Sequence, residues 1–188
     1  MLFDVINFLF EVASTLIGGA CLLRMYMHWR GMGLGNPVGR LVMALSDWLV
    51  RPLQRVLPPS AKVDAANLLG AWLLKLVQYG VFMAMLGMTH WALLPVLALL
   101  GVAKLAASVA TALIVVAAVL SWTQPHSPVA DVLNRLTAPL LAPLRRVIPL
   151  VGGVDLTPMA AVVVLQVLGM VMGSMQARLL GAGLLAAV

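Results

Sequence analysis

Residues 91–122 read WALLPVLALLGVAKLAASVATALIVVAAVLSW, with one charged side chain, Lys104, in the whole run. No water-facing surface can be built from such a segment. A helix crosses the hydrocarbon core of a bilayer in about 20 apolar residues, so two crossings and a turn would need about 40. The run therefore reads as an interfacial lead-in over 91–100 followed by one span over 101–122. Residues 5–29, 65–88 and 158–176 have the same apolar character and make three further spans. The tail ARLLGAGLLAAV is expected near the membrane surface. The start, MLFDVINFLF, has no basic n-region and no small-residue cleavage site, so it reads as a retained first span and not as a signal peptide.

Composition excludes a soluble domain: 10% of residues are charged and 63% hydrophobic, against roughly 25% charged in soluble globular chains. The net charge of +6 does not imply a nucleic-acid partner, because the basic residues flank the spans, where membrane topology puts them. Cys21 is the single cysteine and cannot form an internal disulfide. His28, His90 and His126 are far apart, no Cys/His cluster has metal-site spacing, and there is no phosphate loop, nucleophile elbow or acidic dyad. No cofactor, metal or enzymatic activity is expected.

Between the first two spans, Val38, Leu41, Val42, Leu45, Trp48 and Leu49 recur at helical spacing, with Arg40, Asp47 and Arg51 opposite. That pattern describes an amphipathic helix over 37–51 lying on the membrane. Asn36 can cap it, Pro37 suits its first turn, and Pro52 should end it. A second copy follows over 128–142, with Ser127 as cap, Pro128 in the first turn, and Val129, Val132, Leu133 and Leu136 on one face. A shift of 91 residues superimposes Pro37 on Pro128, Pro52 on Pro143, Arg55 on Arg146, Pro58 on Pro149 and Asp64 on Asp155, and 11 of the 33 positions from 36 to 68 are identical. Trp29 and Trp122 match with a shift of 93.

The expected fold is an all-α integral membrane protein. Four transmembrane helices form two parallel repeats, residues 1–90 and 91–188, each with an amphipathic interfacial helix between its two spans. Nine of the 12 Lys/Arg residues lie in 24–62 or 135–146, on one side of the membrane, and Arg178 alone on the other. The positive-inside rule then puts both basic loops in the cytoplasm and both termini in the periplasm.

Arg24 with Trp29, Asn36-Pro37, RPLQRVLP and Asp64 in the first half, and Trp122, Ser127-Pro128, APLRRVIP, Gly152-Gly153 and Asp155 in the second, together resemble the YggT (YlmG) family of small bacterial inner-membrane proteins. The resemblance covers nearly the whole chain. It implies a link to tolerance of osmotic stress and cation imbalance, or, by analogy with plastid relatives, to cytochrome assembly and nucleoid organisation. It implies no catalytic residues. The halves differ at Gln54 against Arg145 and at Lys62 against Gly153, so two equivalent ligand sites are not expected.

Charges inside spans cost at least about 2.5–3.5 kcal/mol near the centre and so call for a reason. Lys75 falls near the midplane of the second span, with Gln166 as its repeat partner. Glu11 and Lys104 each stand 18 residues before the matched tryptophans, at one depth, as a structural ion pair near the outer interface, as two side chains that each snorkel there, or as the lining of an ion path. Arg24 is expected to snorkel to phosphate. Arg51, Arg55, Arg145 and Arg146 are expected to contact anionic headgroups or a partner. Asp64 and Asp155 would cap the following spans or pair with Arg55 and Arg146. The candidate partners are anionic lipids, another membrane protein and a second copy of the chain. Gly169 and Gly173 would allow close helix packing.

Overall fold

The computed structural model describes residues 2–57, 64–87, 91–148 and 155–185, with side chains over 5–57, 64–87, 91–148 and 155–181. The described residues form six α-helices: α1 (Leu2–Trp29), α2 (Pro37–Val56), α3 (Ala65–Met85), α4 (Leu94–Thr123), α5 (Pro128–Arg145) and α6 (Thr157–Leu185). A single 3₁₀ turn, Trp91–Leu93, leads into α4. Helices α1, α3, α4 and α6 are long and apolar enough to cross a membrane.

Contacts fix the direction of each span. Ser14 meets Gln78, Gly18 meets Leu74 and Ala71, and Cys21 meets Gly70, so α1 and α3 run antiparallel. Gln176 reaches the carbonyl of Leu97 while Ala161 packs on Ile114, so α4 and α6 do the same. Gly18 lies against Leu105 and Met27 against Leu113 and Ala117, which makes α1 and α4 parallel. Helices α2 and α5 consequently share one end of the bundle, where Tyr26 donates a 2.9 Å hydrogen bond to the carbonyl of Leu136. Trp29 and Trp122, both more than half exposed, mark that end, and Trp91 the other, as expected of aromatic rings at the two membrane interfaces.

The caps form as the sequence anticipates. The side chain of Asn36 accepts from the Gly39 N–H at 2.8 Å, and that of Ser127 from the Ala130 N–H at 3.1 Å. The stops do not. Helix α2 continues through Pro52, and α5 through Pro139 and Pro143. Each proline removes one N–H and frees the carbonyl four residues earlier. These carbonyls belong to Trp48, Arg135 and Pro139, on faces at least partly open, where water or headgroups can satisfy them.

The surface helices are also three-sided where two faces were expected. In α2 the face against the bundle is Gly39, Val42, Ser46 and Val50. Leu41 and Trp48, on the apolar side of the sequence pattern, are each 62% exposed. At about 100° per residue they lie toward the lipid, between the protein face and the polar face of Arg40, Asp47 and Arg51. In α5 the matching residues, shifted by 91, are Ala130, Leu133, Thr137 and Leu141, all buried.

Two further expectations are corrected. Residues 94–100 are no separate lead-in; they open the continuous helix α4, and Leu97 and Ala98 are fully buried. The residues after Gln176 continue α6 to Leu185, with Leu179 and Leu180 packed against Met83 and Leu97. Apolar contact across the bundle, unavailable to a tail in isolation, extends both helices. Pro58, Lys62, Met88, His90, Pro149, Gly152, Gly153 and the last three residues lie outside the described residues.

A candidate intramembrane polar site

Lys75 stands at the middle of α3 and is 6% exposed. Its Nζ donates to Oε1 of Gln78 at 2.8 Å and to Oγ of Ser14 at 3.1 Å, and Ser14 in turn donates to the same Oε1 at 2.5 Å. The i, i+3 spacing of Lys75 and Gln78 puts both on the α1-facing side of α3. Gly101 of α4 closes the site from the other side: a Cβ there would lie 2.7 Å from Cε2 of Tyr79 and 3.3 Å from Cδ of Lys75. Tyr79 accepts a 2.8 Å hydrogen bond from Gln176 of α6. Four spans thus converge on one polar cluster within a segment that otherwise excludes polar groups.

Among the described residues no carboxylate forms an ion pair with Lys75. Glu11 and Lys104 do not pair with each other; both side chains are exposed. The expected ion pair between them is therefore absent, because each projects outward from its own helix while Lys75 lies inside. Gln166 is also exposed. With Lys104 it lines a groove of about 560 Å³ along α4 and α6.

Arg24 does not snorkel. It is buried and turned onto α2, donating to Asp47 at 2.7 Å and Ser46 at 3.2 Å. Arg51 holds the other oxygen of Asp47 at 2.6 Å from the exposed side. A carboxylate shared by two guanidiniums ties the surface helix to the first span.

The Pro-Leu-x-Arg-x-x-Pro segments work through the variable position, not the invariant arginine. Gln54 donates to Asp64 at 2.6 Å, and Arg145 contacts Asp155 at 3.0 Å. These pairs coincide under the 91-residue shift. Arg55 and Arg146 point outward and make no side-chain hydrogen bond or ion pair among the described residues, so their expected pairing with the aspartates is corrected: a helix that continues past the proline turns the preceding side chain toward the aspartate. Asp155 also accepts from the Thr157 N–H at 2.9 Å, capping α6, and the Thr157 hydrogen bonds, then Arg145, hold its carboxyl below the ordinary 3.8. Asp64 makes no such cap; its Oδ1 and the amide of the fully buried Asn67 have no hydrogen-bond partner among the described residues.

A second cavity, about 770 Å³, opens at the same end between the starts of α2 and α5, lined by Arg30, Asn36, Asp131 and Arg135 among others. Among the described residues no group of His, Cys, Asp and Glu is disposed to hold a metal. Ser14, Gln78, Tyr79 and Gln176 were not singled out from sequence. Lys75 with Gln78 three residues later was a legible signal; the reach of Ser14 and Gln176 across helices was not.

Helical spans flanked by exposed tryptophans, with surface helices gathered at one end, define a multi-pass membrane protein. The CCB3/YggT family model matches residues 2–85 and 96–176, and the chain belongs to that family. It is similar to "Uncharacterized protein YggT" of Escherichia coli K12, 31% identical over 171 residues, 89% of this chain and 88% of that protein. It is also similar to "Uncharacterized protein in proC 3'region" of Vibrio alginolyticus, 28% identical over 171 residues, 89% of this chain and 92% of the relative. No solved structure matches. The family indicates no catalytic role.

Proposed function

We propose that this chain is a non-enzymatic inner-membrane protein that supports ion and osmotic-stress homeostasis, directly or through a membrane partner. The observation that carries the reading is Lys75, a lysine buried at mid-span that among the described residues has no paired carboxylate and is held by neutral Ser14 and Gln78. A buried charge at that depth costs stability, so its presence calls for a functional reason. The chain is built as two parallel repeats, with both surface helices and basic loops cytoplasmic and both termini periplasmic. The test is growth, under high osmolarity or cation excess, of a bacterium lacking its own family member. The wild-type chain restores growth and Lys75→Met does not; equal rescue by both removes the basis of the reading.

A second reading is an assembly or scaffold factor. It is favoured by the cleft between the starts of α2 and α5, with Arg30 and Arg135 on its walls, and by the outward Arg55 and Arg146, free to meet anionic headgroups or an acidic partner. Charge reversal at Arg30 and Arg135 together would then abolish co-purification of a membrane partner while leaving Lys75-dependent growth intact.

A further inference from the structure

Departures from the repeat meet in one place, the cleft of about 770 Å³ between the starts of α2 and α5. Arg30 corresponds to Thr123 under the 93-residue shift, and Arg135 to Ala44 under the 91-residue shift. Each half thus supplies one guanidinium where the other half has an uncharged side chain. The turn that carries Arg30 is also the longer one. Pro37 follows Trp29 by eight positions, and Pro128 follows Trp122 by six. That turn holds Gly31 and Gly33, whereas residues 123–127 contain no glycine. A Cβ on Gly31 or Gly33 would meet nothing within 4 Å, so the backbone lies bare on this wall of the cleft. The common fold of the two halves requires none of these four residues, yet all of them line the same cavity.

We infer that this cleft binds the headgroup phosphodiester of an anionic phospholipid from the adjoining leaflet. Depth, charge and shape single out that ligand. Arg30 directly follows Trp29, whose exposed ring marks the membrane interface, so the cleft opens at the level of the headgroups. Arg30 and Arg135 against Asp131 leave it one positive charge, and a phosphodiester carries one negative charge. Arg135 meets Asp131 only at 3.8 Å, and Arg30 makes no ion pair among the described residues. Both guanidiniums are therefore available to fork onto phosphate oxygens. Helices α2 and α5 also begin on the rim, at Pro37 and Pro128, where the positive ends of their dipoles add to the attraction. A zwitterionic headgroup brings its own ammonium and leaves the charge of the cleft uncompensated.

Met32 and Val132 form the apolar floor, packed on the cluster of Met27, Leu133 and Leu136. The glycerol and first methylenes of a lipid can rest there, whereas inorganic phosphate has nothing to place on it. The volume is that of a small-ligand site, roughly 300–1,000 Å³. The inference goes beyond both readings above. It needs neither stress-dependent growth nor a protein partner, and it is read on the purified chain, so it can fail while either reading stands.

The test is native mass spectrometry of the full chain, purified in detergent and titrated with dioleoyl phosphatidylglycerol or dioleoyl phosphatidylethanolamine. The wild type should hold one phosphatidylglycerol at least about tenfold more tightly than phosphatidylethanolamine, as two basic contacts imply. Arg30→Gln combined with Arg135→Gln should lose that preference. Arg55→Gln combined with Arg146→Gln removes the same charge outside the cleft and should keep it. Gly33→Leu removes no charge and should weaken retention several-fold by filling the cleft. Protection of the buried Cys21 thiol from labelling reports that each variant is folded. Excess inorganic phosphate should not release the lipid. Equal retention of the two lipids, a loss in the Arg55/Arg146 variant as great as in the Arg30/Arg135 variant, unchanged retention in Gly33→Leu, or release by inorganic phosphate would each overturn the inference.

Discussion

Arg24 and Asp47 offer a perturbation whose outcome the protein's own second half foretells. Asp47 is the carboxylate that neutralises a guanidinium with only 10% of its side chain exposed, at 2.7 Å. Asp47→Ala strands that charge, and removing one partner of a buried pair costs about 3–5 kcal/mol. The low end applies, because Ser46 still accepts from Arg24 at 3.2 Å. Arg24→Ala is milder, roughly 1.5–3 kcal/mol for hydrogen bonds to a charged group, because Arg51 continues to satisfy Asp47 at 2.6 Å. The equivalents of the pair in the second half are Ala117 and Ala138, and Ala117 is packed at 6% exposure. A chain with both Arg24→Ala and Asp47→Ala should therefore be no less stable than Asp47→Ala alone, with a coupling of about 2 kcal/mol. Cys21 supplies the assay: it is the only cysteine and fully buried, so a thiol-reactive dye reports unfolding in detergent. At roughly 2–4 °C per kcal/mol for a chain of this length, Asp47→Ala should lower Tm by roughly 6–12 °C. Asp47→Ala melting with the wild type, or a double mutant that loses the sum of the two single losses, would refute the reasoning.

At the second Pro-Arg loop, Arg145→Ala should loosen the joint between α5 and α6 by under about 1 kcal/mol, as for a half-exposed pair. Arg145→Gln should lose less by copying Gln54, and Arg146→Ala should lose nothing, all read as protease sensitivity of the loop. Asp155, whose carboxyl is held below 3.8 by the Thr157 hydrogen bonds and then by Arg145, stabilises the fold above that pH. The contribution fades as pH falls through the lowered value, so Tm of the wild type and of Asp155→Asn should converge in acid and separate toward neutrality. Single cysteines near residue 3 and residue 140 should label from opposite faces of the membrane, since three spans separate them; labelling from one face would break the four-span topology.

Much of the fold was legible because a bilayer admits few solutions. Long apolar runs could be counted against its thickness, and the Asn36-Pro37 and Ser127-Pro128 pairs mark helix starts by local chemistry alone. Pro52 and Pro143 misled for a physical reason: a surface helix can leave a carbonyl to water, which an isolated pattern does not reveal. Which apolar residues of α2 meet the bundle was not legible, because hydrophobicity does not distinguish lipid from protein; Leu41 and Val42 look alike, and only packing decides that Val42 is buried and Leu41 exposed. Lys75 was identifiable by depth. Its partner Ser14 was not, because it approaches from α1, which packs at Gly18 against Leu74 and Leu105, through contacts far apart in sequence. The choice between Arg145 and Arg146 turned on the helix continuing past Pro143, a single turn beyond its expected end.

The central claim is that the mid-membrane cluster around Lys75 serves function and not merely folding, and Lys75→Gln tests it most directly. Glutamine stands at the equivalent position of the second half, as Gln166, so the substitution removes the charge with a side chain the architecture already accommodates. Membrane abundance, Tm by Cys21 labelling and growth under osmotic and cation stress should be measured on the same strain. The account predicts abundance and Tm at or above the wild-type values, since a buried charge has been removed, together with loss of stress-dependent growth. Full growth from a well-folded Lys75→Gln chain would contradict it.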